Sequence, residues 1–402
     1  MRKIMEPGPG LKEGWQDVKF NVPNVTAFIT GVIFTLTGAI ILFVNVAASA
    51  NLNQQQAASW IISGVVLAAI SSGLLCLYYK QPIIIAPSLP ALLVVGPMFK
   101  LFSVPEMVAG YLIAAAIIFL IGAAGVVGLL GKYLPVPIIM GMIAGVFMSY
   151  GLRIVEAVAK EPVVTGLTIA AFLITPLVSK RIPPQAVSLV VAMILSFLLL
   201  PLTMEVQNMY FHFAQPVFVV PRFNYRVILA VSIPLVLMGL ADTLKGYGVL
   251  RANEYDPPLN TITSVAGLAS FLGAFSLSHC IVLAGPVTAI VGGASAGEKE
   301  HRYAAGLLFS AALILIGITL GVIMPFLTVL PAAISNVVAG LAMLGLFTSS
   351  LEMAFGANKH QLGAFTAFIV GMSNVTVGGI GAPVWAILFG ILVSAVSAHK
   401  RA

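Results

Sequence analysis

Apolar stretches long enough to cross a bilayer recur along the whole of this 402-residue chain, for example 28–46 and 57–77. About twenty such residues span the hydrocarbon core as a helix. Only 8% of the residues are charged and 60% are hydrophobic, against roughly 25% charged in soluble domains. The pattern requires a polytopic helical membrane protein, since an outer-membrane barrel would show alternating strands of about ten residues. The first twenty residues, MRKIMEPGPGLKEGWQDVKF, are polar and basic and lead into no apolar signal region, so no cleaved signal peptide is expected. Cys76 and Cys280 both lie in apolar segments, which argues against a disulfide framework. The formal net charge of +7 is dispersed. In such a chain it marks cytoplasmic loops rather than nucleic-acid binding.

Proline, glycine and charged clusters divide the chain into 14 segments. They fall at about 23–47, 57–79, 83–98, 105–130, 135–157, 163–179, 184–201, 226–250, 259–275, 280–294, 303–326, 331–353, 361–373 and 378–396. With the N-terminus inside, 15 Lys and Arg face the cytoplasm, and five (Lys100, Arg153, Lys160, Arg222 and Arg226) face outward. This positive-inside bias places both termini in the cytoplasm and the protein in the inner (plasma) membrane.

The third and tenth segments are short and broken. IIIA at 83–86 has a counterpart in IVLA at 281–284, each followed by a breaker pair, Pro87-Ser88 and Gly285-Pro286. LIG at 120–122 matches 315–317, and LPVPI at 134–138 matches LPAAI at 330–334. The offsets are 198, 195 and 196 residues, so the second half repeats the first. Seven segments per half make the repeat inverted. Paired broken segments in an inverted repeat mark the binding site of a secondary transporter. The expected arrangement is a short extended piece followed by a half-helix that starts near Ser88, and a second half-helix after Gly285-Pro286. Free N–H groups and the positive dipole end of each would form a polar or anion site at the midplane. The candidate residues are Ala86, Pro87, Ser88 and Leu89 in one half, and Gly285, Pro286, Val287 and Thr288 in the other.

Asp242, in PLVLMGLADTLKGYGVL, is the acidic residue that sits well inside a segment. A charge there costs roughly 2.5–3.5 kcal/mol on insertion scales and needs a partner, a cavity or a proton. Lys245 is three residues on, on the same helix face. Asp242 either pairs with Lys245 or takes up and releases a proton during transport. His279 begins the second broken segment and is a second proton-coupling candidate. Asn45, Ser88 and Thr288 offer hydrogen bonds to a substrate. Gly141–Gly145 and Gly317–Gly321 have the spacing of close helix packing. No metal cluster, phosphate loop or nucleophile–base set is present, so no enzyme and no cofactor is expected, and energy must come from a gradient.

Several stretches together resemble the benzoate/proton symporter (BenE-type) family over nearly the whole chain. They are GAIILFVNVAASA with AASW, QPIIIAPSLPALLVVG, PVFVVPRFNYRVIL, GVLRANEYDPPLN, LPAAISNVVAGLAMLG and VGGIGAPVWAILFGIL. The resemblance implies the seven-plus-seven inverted-repeat fold shared with uracil permeases and sulfate-type anion transporters. It implies a core domain at 23–131 and 226–326 that carries substrate, and a gate domain at 132–201 and 327–396. A cytoplasmic segment at 1–22, an extracytoplasmic loop at 202–225 and a cytoplasmic tail at 397–402 complete the chain. A homodimer through the gate is implied as well. Around Asp242 the family usually carries uncharged polar residues, and an acid there is similar to the nucleobase permeases. The expectation is proton-coupled uptake of a small aromatic carboxylate, benzoate or a relative. The half-helix ends and Lys245 would hold the carboxylate and Asp242 would carry the proton. A nucleobase-like symporter and an anion exchanger or channel of the same fold are the alternatives.

Overall fold

The computed structural model describes residues 5–133, 135–179, 184–199, 215–328, 331–356, 360–373, 375–377 and 380–399. Leu134 and Leu330, most of the expected 202–225 loop and several basic residues of the charge count (Arg2, Lys3, Lys180, Arg181, Lys359, Lys400 and Arg401) lie outside the described residues.

The protein is helical almost throughout. A short N-terminal helix α1 (Leu11–Gln16) precedes α2 (Val22–Ser49) and α3 (Gln54–Tyr79). Strand β1 (Ile85–Pro87) leads into α4 (Leu89–Met98), followed by α5 (Val104–Ala123), α6 (Val127–Tyr133), α7 (Val136–Lys160), α8 (Pro162–Val178) and α9 (Pro184–Leu199). The second half runs through α10 (Tyr225–Ala252), α11 (Leu259–Ala274), strand β2 (Ile281–Leu283) and α12 (Gly285–Gly292). Then come α13 (Tyr303–Thr328), α14 (Ala332–Phe355), α15 (Gln361–Met372), the strands β3 (Thr376–Val377) and β4 (Ile380–Gly381), and α16 (Ala382–His399). Among the described residues six helices are long and apolar enough to cross a membrane, and a seventh if the bend of 46° within α14 is counted inside one span.

Helix boundaries follow local chemistry. Asn21 caps α2 by accepting from Asn24 N–H at 2.9 Å, and Asn24 returns the bond to Asn21 N–H. Asn53 and Gln56 do the same for α3. The sequence reads 105–130 as one segment, but the chain turns at Gly125, whose φ is 71°, and α6 starts afresh. A left-handed residue cannot continue a right-handed helix, and glycine adopts that conformation without steric cost. The last segment also starts later than expected: 378–381 is not helical where described, because the β3–β4 pairing precedes α16.

The helices pack in two groups. In one, α5 lies on α11, α13 on α2 and α3, and α10 and α12 on each other. In the other, α7 packs on α14 and α15, α15 on α16, and α8 on α9. The middle of α2 touches α14 between the groups. Glycines set the closest approaches: a Cβ on Gly141 or Gly145 would strike the α15 backbone at Ala364 or Phe368.

Gly141→Leu is therefore expected to force α7 off α15. Overpacking of this kind typically costs about 1–3 kcal/mol, and the melting temperature in detergent should fall clearly. Gly166→Ala, where nothing lies within 4 Å of the added Cβ, serves as the neutral control.

Candidate functional site

The site is built on two three-residue strands. β1 and β2 pair antiparallel, Ile85 opposite Leu283, Ala86 opposite Val282 and Pro87 opposite Ile281. Ile85 and Leu283 are separated by 198 residues, the offset of the sequence repeat. Two segments related by that offset about a two-fold axis would meet in this register. The pairing extends at both ends: Ser88 N–H donates to Cys280 C=O at 2.9 Å, and Ala284 N–H to Ile84 C=O at 2.8 Å.

Extended backbone inside a membrane protein must find partners for every polar group. Here two serines supply part of the set. Ser72 Oγ accepts from Ile85 N–H at 2.8 Å and donates to Ile85 C=O at 3.0 Å. Ser270 Oγ accepts from Ile281 N–H at 2.8 Å. These serines, on α3 and α11, are also 198 residues apart.

Each strand ends at a helix N-terminus. Ser88 caps α4 through Ala91 N–H at 3.1 Å and donates its own hydroxyl to Asp242 Oδ2 at 2.6 Å. Asp242 thus bonds to Ser88, and among the described residues no ion pair joins it to Lys245. The hydrogen bond of Asp242 is a contact across the fold, to Ser88 rather than to Lys245 three residues on. The α12 N-terminus has no side-chain cap. Helices leave their first N–H groups without partners; Pro286 removes one of these, and Thr288 N–H bonds Ala284 C=O at 3.0 Å. The N–H groups of Gly285 and Val287 remain as donors. The Lys245 side chain lies beside this terminus, its Cγ 3.8 Å from a Cβ placed on Gly285.

Both N-termini open on one cavity holding about 830 Å³ of empty space, its open mouth included. Ala86, Pro87, Ser88, Leu89, Asp242, Lys245, Gly285, Pro286 and Val287 line it, together with Phe34, Phe43 and Phe309. The phenylalanines were not singled out by the sequence. Phe34 and Phe43 flank a π-helical stretch, Thr35–Ile40, inside α2. Such wide turns recur at functional positions in helices. A second π stretch, Ile228–Ser232, lies in α10, the corresponding helix of the second half.

Three sequence candidates do not line the cavity. Thr288 Oγ1 donates to Ile84 C=O at 3.4 Å, and Asn45 Nδ2 donates to Ser335 C=O at 3.2 Å, tying α2 to α14. Each polar group is spent on the fold. His279 is buried (1% exposed). Its Nδ1 accepts from the Trp60 indole N–H at 3.0 Å, so Nε2 carries the proton and donates to Ser88 C=O at 2.8 Å. A second proton on Nδ1 would meet the indole N–H head on. Phe43 and Trp60 rings pack 5.6 and 5.7 Å from the imidazole.

Ser88 thus joins strand, half-helix, His279 and Asp242. Ser88→Ala removes the cap and the Asp242 donor together; caps are worth about 0.5–2 kcal/mol. A drop in melting temperature is expected, largely recovered in Ser88→Thr, which keeps the hydroxyl.

Comparison with known proteins gives the chain its family. The solved transmembrane domain of the cyanobacterial bicarbonate transporter BicA superposes with a TM-score of 0.60 at 16% identity, covering 94% of this chain and 99% of that one. Murine Slc26a9, an anion transporter solved in the inward-facing state, superposes with a TM-score of 0.66 at 14% identity, over 97% of this chain and 71% of that one. These likenesses establish the fold. The benzoate membrane transport protein of Acinetobacter baylyi is 29% identical over 388 residues, 95% of each chain. The inner membrane protein YdcO of Escherichia coli is 24% identical over 380 residues, 92% of this chain and 95% of that protein. The sequence profile of the family described as benzoate membrane transport protein matches residues 18–396, so the chain belongs to that family and is a multi-pass membrane transporter rather than an enzyme.

Proposed function

We propose that the protein carries a small aromatic carboxylate, benzoate or a relative, together with a proton across the plasma membrane. The observation that carries this reading is the asymmetry of the two half-helix ends. The α4 terminus is closed by its own serine, while the α12 terminus is uncapped and stands beside Lys245. Free N–H groups at a helix start and a cation alongside are what a carboxylate binds. The phenylalanines and the surrounding aliphatic wall suit an aromatic ring, whose transfer from water yields about 25 cal/mol per Å². Asp242 stands at the other terminus, bonded to Ser88, and carries the coupling proton in this reading. A protonated Asp242 no longer attracts the Lys245 ammonium, which leaves that charge to the substrate. His279, bonded at both nitrogens, positions the Ser88 carbonyl and carries no coupling proton.

The helices fit 14 crossings when the shorter apolar helices and α12 are counted with the long ones. Both termini then face the cytoplasm. The group containing the strands acts as the core and the group built on α7 and α14 as the gate. Core movement against gate gives alternating access, and the gate forms a homodimer interface. The cavity touches α14 at Leu346 and α13 at Phe309 and Leu313, toward the cytoplasmic ends of those helices in this topology, as in an inward-facing state.

A melting-temperature panel in mild detergent tests the substrate. Benzoates should stabilise the protein by mass action, more strongly at lower pH, and stabilisation by uracil or xanthine alone would overturn the assignment. In proteoliposomes Asp242→Asn should lose uphill accumulation and keep exchange, and undiminished accumulation would remove Asp242 from its role. His279→Gln keeps an N–H for Ser88; it should retain the native pH profile of uptake, while His279→Leu loses most activity. A shifted profile in His279→Gln would restore the histidine as a proton carrier.

A further inference from the structure

The N-terminal segment is keyed into the helices rather than trailing from them. The Glu6 carboxylate accepts from Thr261 N–H at 3.0 Å and from Asn260 Nδ2 at 3.1 Å, at the start of α11, and Tyr79 Oη donates to Glu6 C=O at 2.8 Å. Gly10 N–H donates to Tyr78 C=O at 3.0 Å, and Tyr303 Oη to Gly14 C=O at 2.7 Å. Gly14 lies so close to α3 that a Cβ on it would strike the Leu77 carbonyl. Leu77 belongs to the last turn of α3 and Tyr303 opens α13, two helices long and apolar enough to cross the membrane. The helix α1 is therefore held at the level where those spans end.

A helix held there still shows an apolar face. Helical residues advance about 100° each, so Leu11 and Trp15 share a face, Lys12 flanks it and Glu13 stands opposite. Trp15 is 70% exposed and Leu11 46%. Beyond α1, Lys19 and Phe20 are exposed. Val22, Val25 and Ile29 continue as an exposed apolar stripe at i, i+3 and i+7 on α2. That helix is itself a span, so its stripe meets lipid. Asp17 is paired with Lys80, whereas Lys12 and Lys19 make no ion pair among the described residues. The exposed surface thus combines an indole, further apolar side chains and two unpaired cations at the end of the spans. Tryptophan favours the headgroup level of a bilayer, and lysines near the surface are attracted by anionic lipid.

We propose that the segment 11–22 is a docking surface for anionic phospholipid. Leu11, Trp15 and Phe20 enter the boundary between headgroups and acyl chains, and Lys12 and Lys19 hold the headgroup phosphates. Through Glu6 and Gly14 the helices that carry the β1–β2 pair are thereby tied to one leaflet. That this leaflet is the cytoplasmic one rests on the topology given above; the lipid contact does not.

Trp15 reports on the contact directly. In nanodiscs, emission lost on Trp15→Phe gives the Trp15 signal free of Trp60 and Trp385. It should be quenched by lipid brominated near the headgroup end of the chain more than by lipid brominated near the methyl end, and little by iodide in the water. At low mole fraction, brominated phosphatidylglycerol should quench about twofold to fivefold more than brominated phosphatidylcholine. That preference should vanish in Lys12→Gln/Lys19→Gln and at about 0.5 M salt, where the screening length is about 4 Å, and persist in Lys12→Arg/Lys19→Arg. A Trp15 open to iodide and untouched by bromolipid would overturn the surface. So would one shielded from both, which would mean that protein, a second copy included, covers it. Equal quenching by the two lipids, or a preference that survives the double glutamine variant, would overturn the anionic headgroup as occupant. Nanodiscs present both faces, so these outcomes do not depend on orientation. Both native cysteines are buried, so Lys12→Cys gives one site for an impermeant maleimide. Labelling of that site in intact cells, with the quenching unchanged, would defeat the topology alone.

Discussion

The arrangement depends on six residues of antiparallel strand set among apolar helices. Extended backbone at that depth is tolerated only if every N–H and C=O is satisfied. Ile85–Pro87 and Ile281–Leu283 satisfy much of each other. Ser72 and Ser270 supply bonds to the outward edges of the pair. Because the strands run antiparallel, they deliver the two helix N-termini to opposite ends of the pairing. Three residues of strand set the two termini roughly 10 Å apart, about the length of a small aromatic acid. The candidate site is thus a by-product of solving a backbone hydrogen-bond problem.

The two halves solve it differently, and the difference gives the site its polarity. Ser88 closes its own helix and reaches Asp242, while Gly285-Pro286 leaves the opposite helix open. Small residues on α10 permit this: a Cβ on Gly246 would strike Leu283, and one on Gly239 would strike the Cys280 sulfur. That close approach brings Asp242 and Lys245 to the strand ends. His279 and Trp60 brace the other side.

Much of this was legible in the sequence, for physical reasons. The membrane spans announce themselves because twenty apolar residues have few other uses. The IIIA and IVLA stretches with their breakers pointed to broken segments, and the strand register reproduces their 198-residue offset. Nine of the twelve proposed site residues line one cavity. What remained hidden depends on contacts between distant segments. The Ser88–Asp242 bond spans 154 residues, whereas Lys245, three residues on, is visible from helix spacing alone. The Trp60–His279 bond spans 219 residues, a distance over which the sequence gives no sign of it. Phe34, Phe43 and Phe309 were indistinguishable from lipid-facing phenylalanines, and the π stretch that shapes α2 has no local signature. The break at Gly125 was missed because glycine is common inside membrane helices.

The central claim is that the uncapped α12 terminus and Lys245 hold the substrate carboxylate, with the ring among the phenylalanines. A structure of the purified protein with bound benzoate tests it most directly. The account predicts the carboxylate within hydrogen-bond distance of the Gly285 or Val287 N–H and of Lys245, and the ring against Phe34, Phe43 and Phe309. A carboxylate seated instead against Ser88 and Asp242, or a ligand outside this cavity altogether, would contradict it.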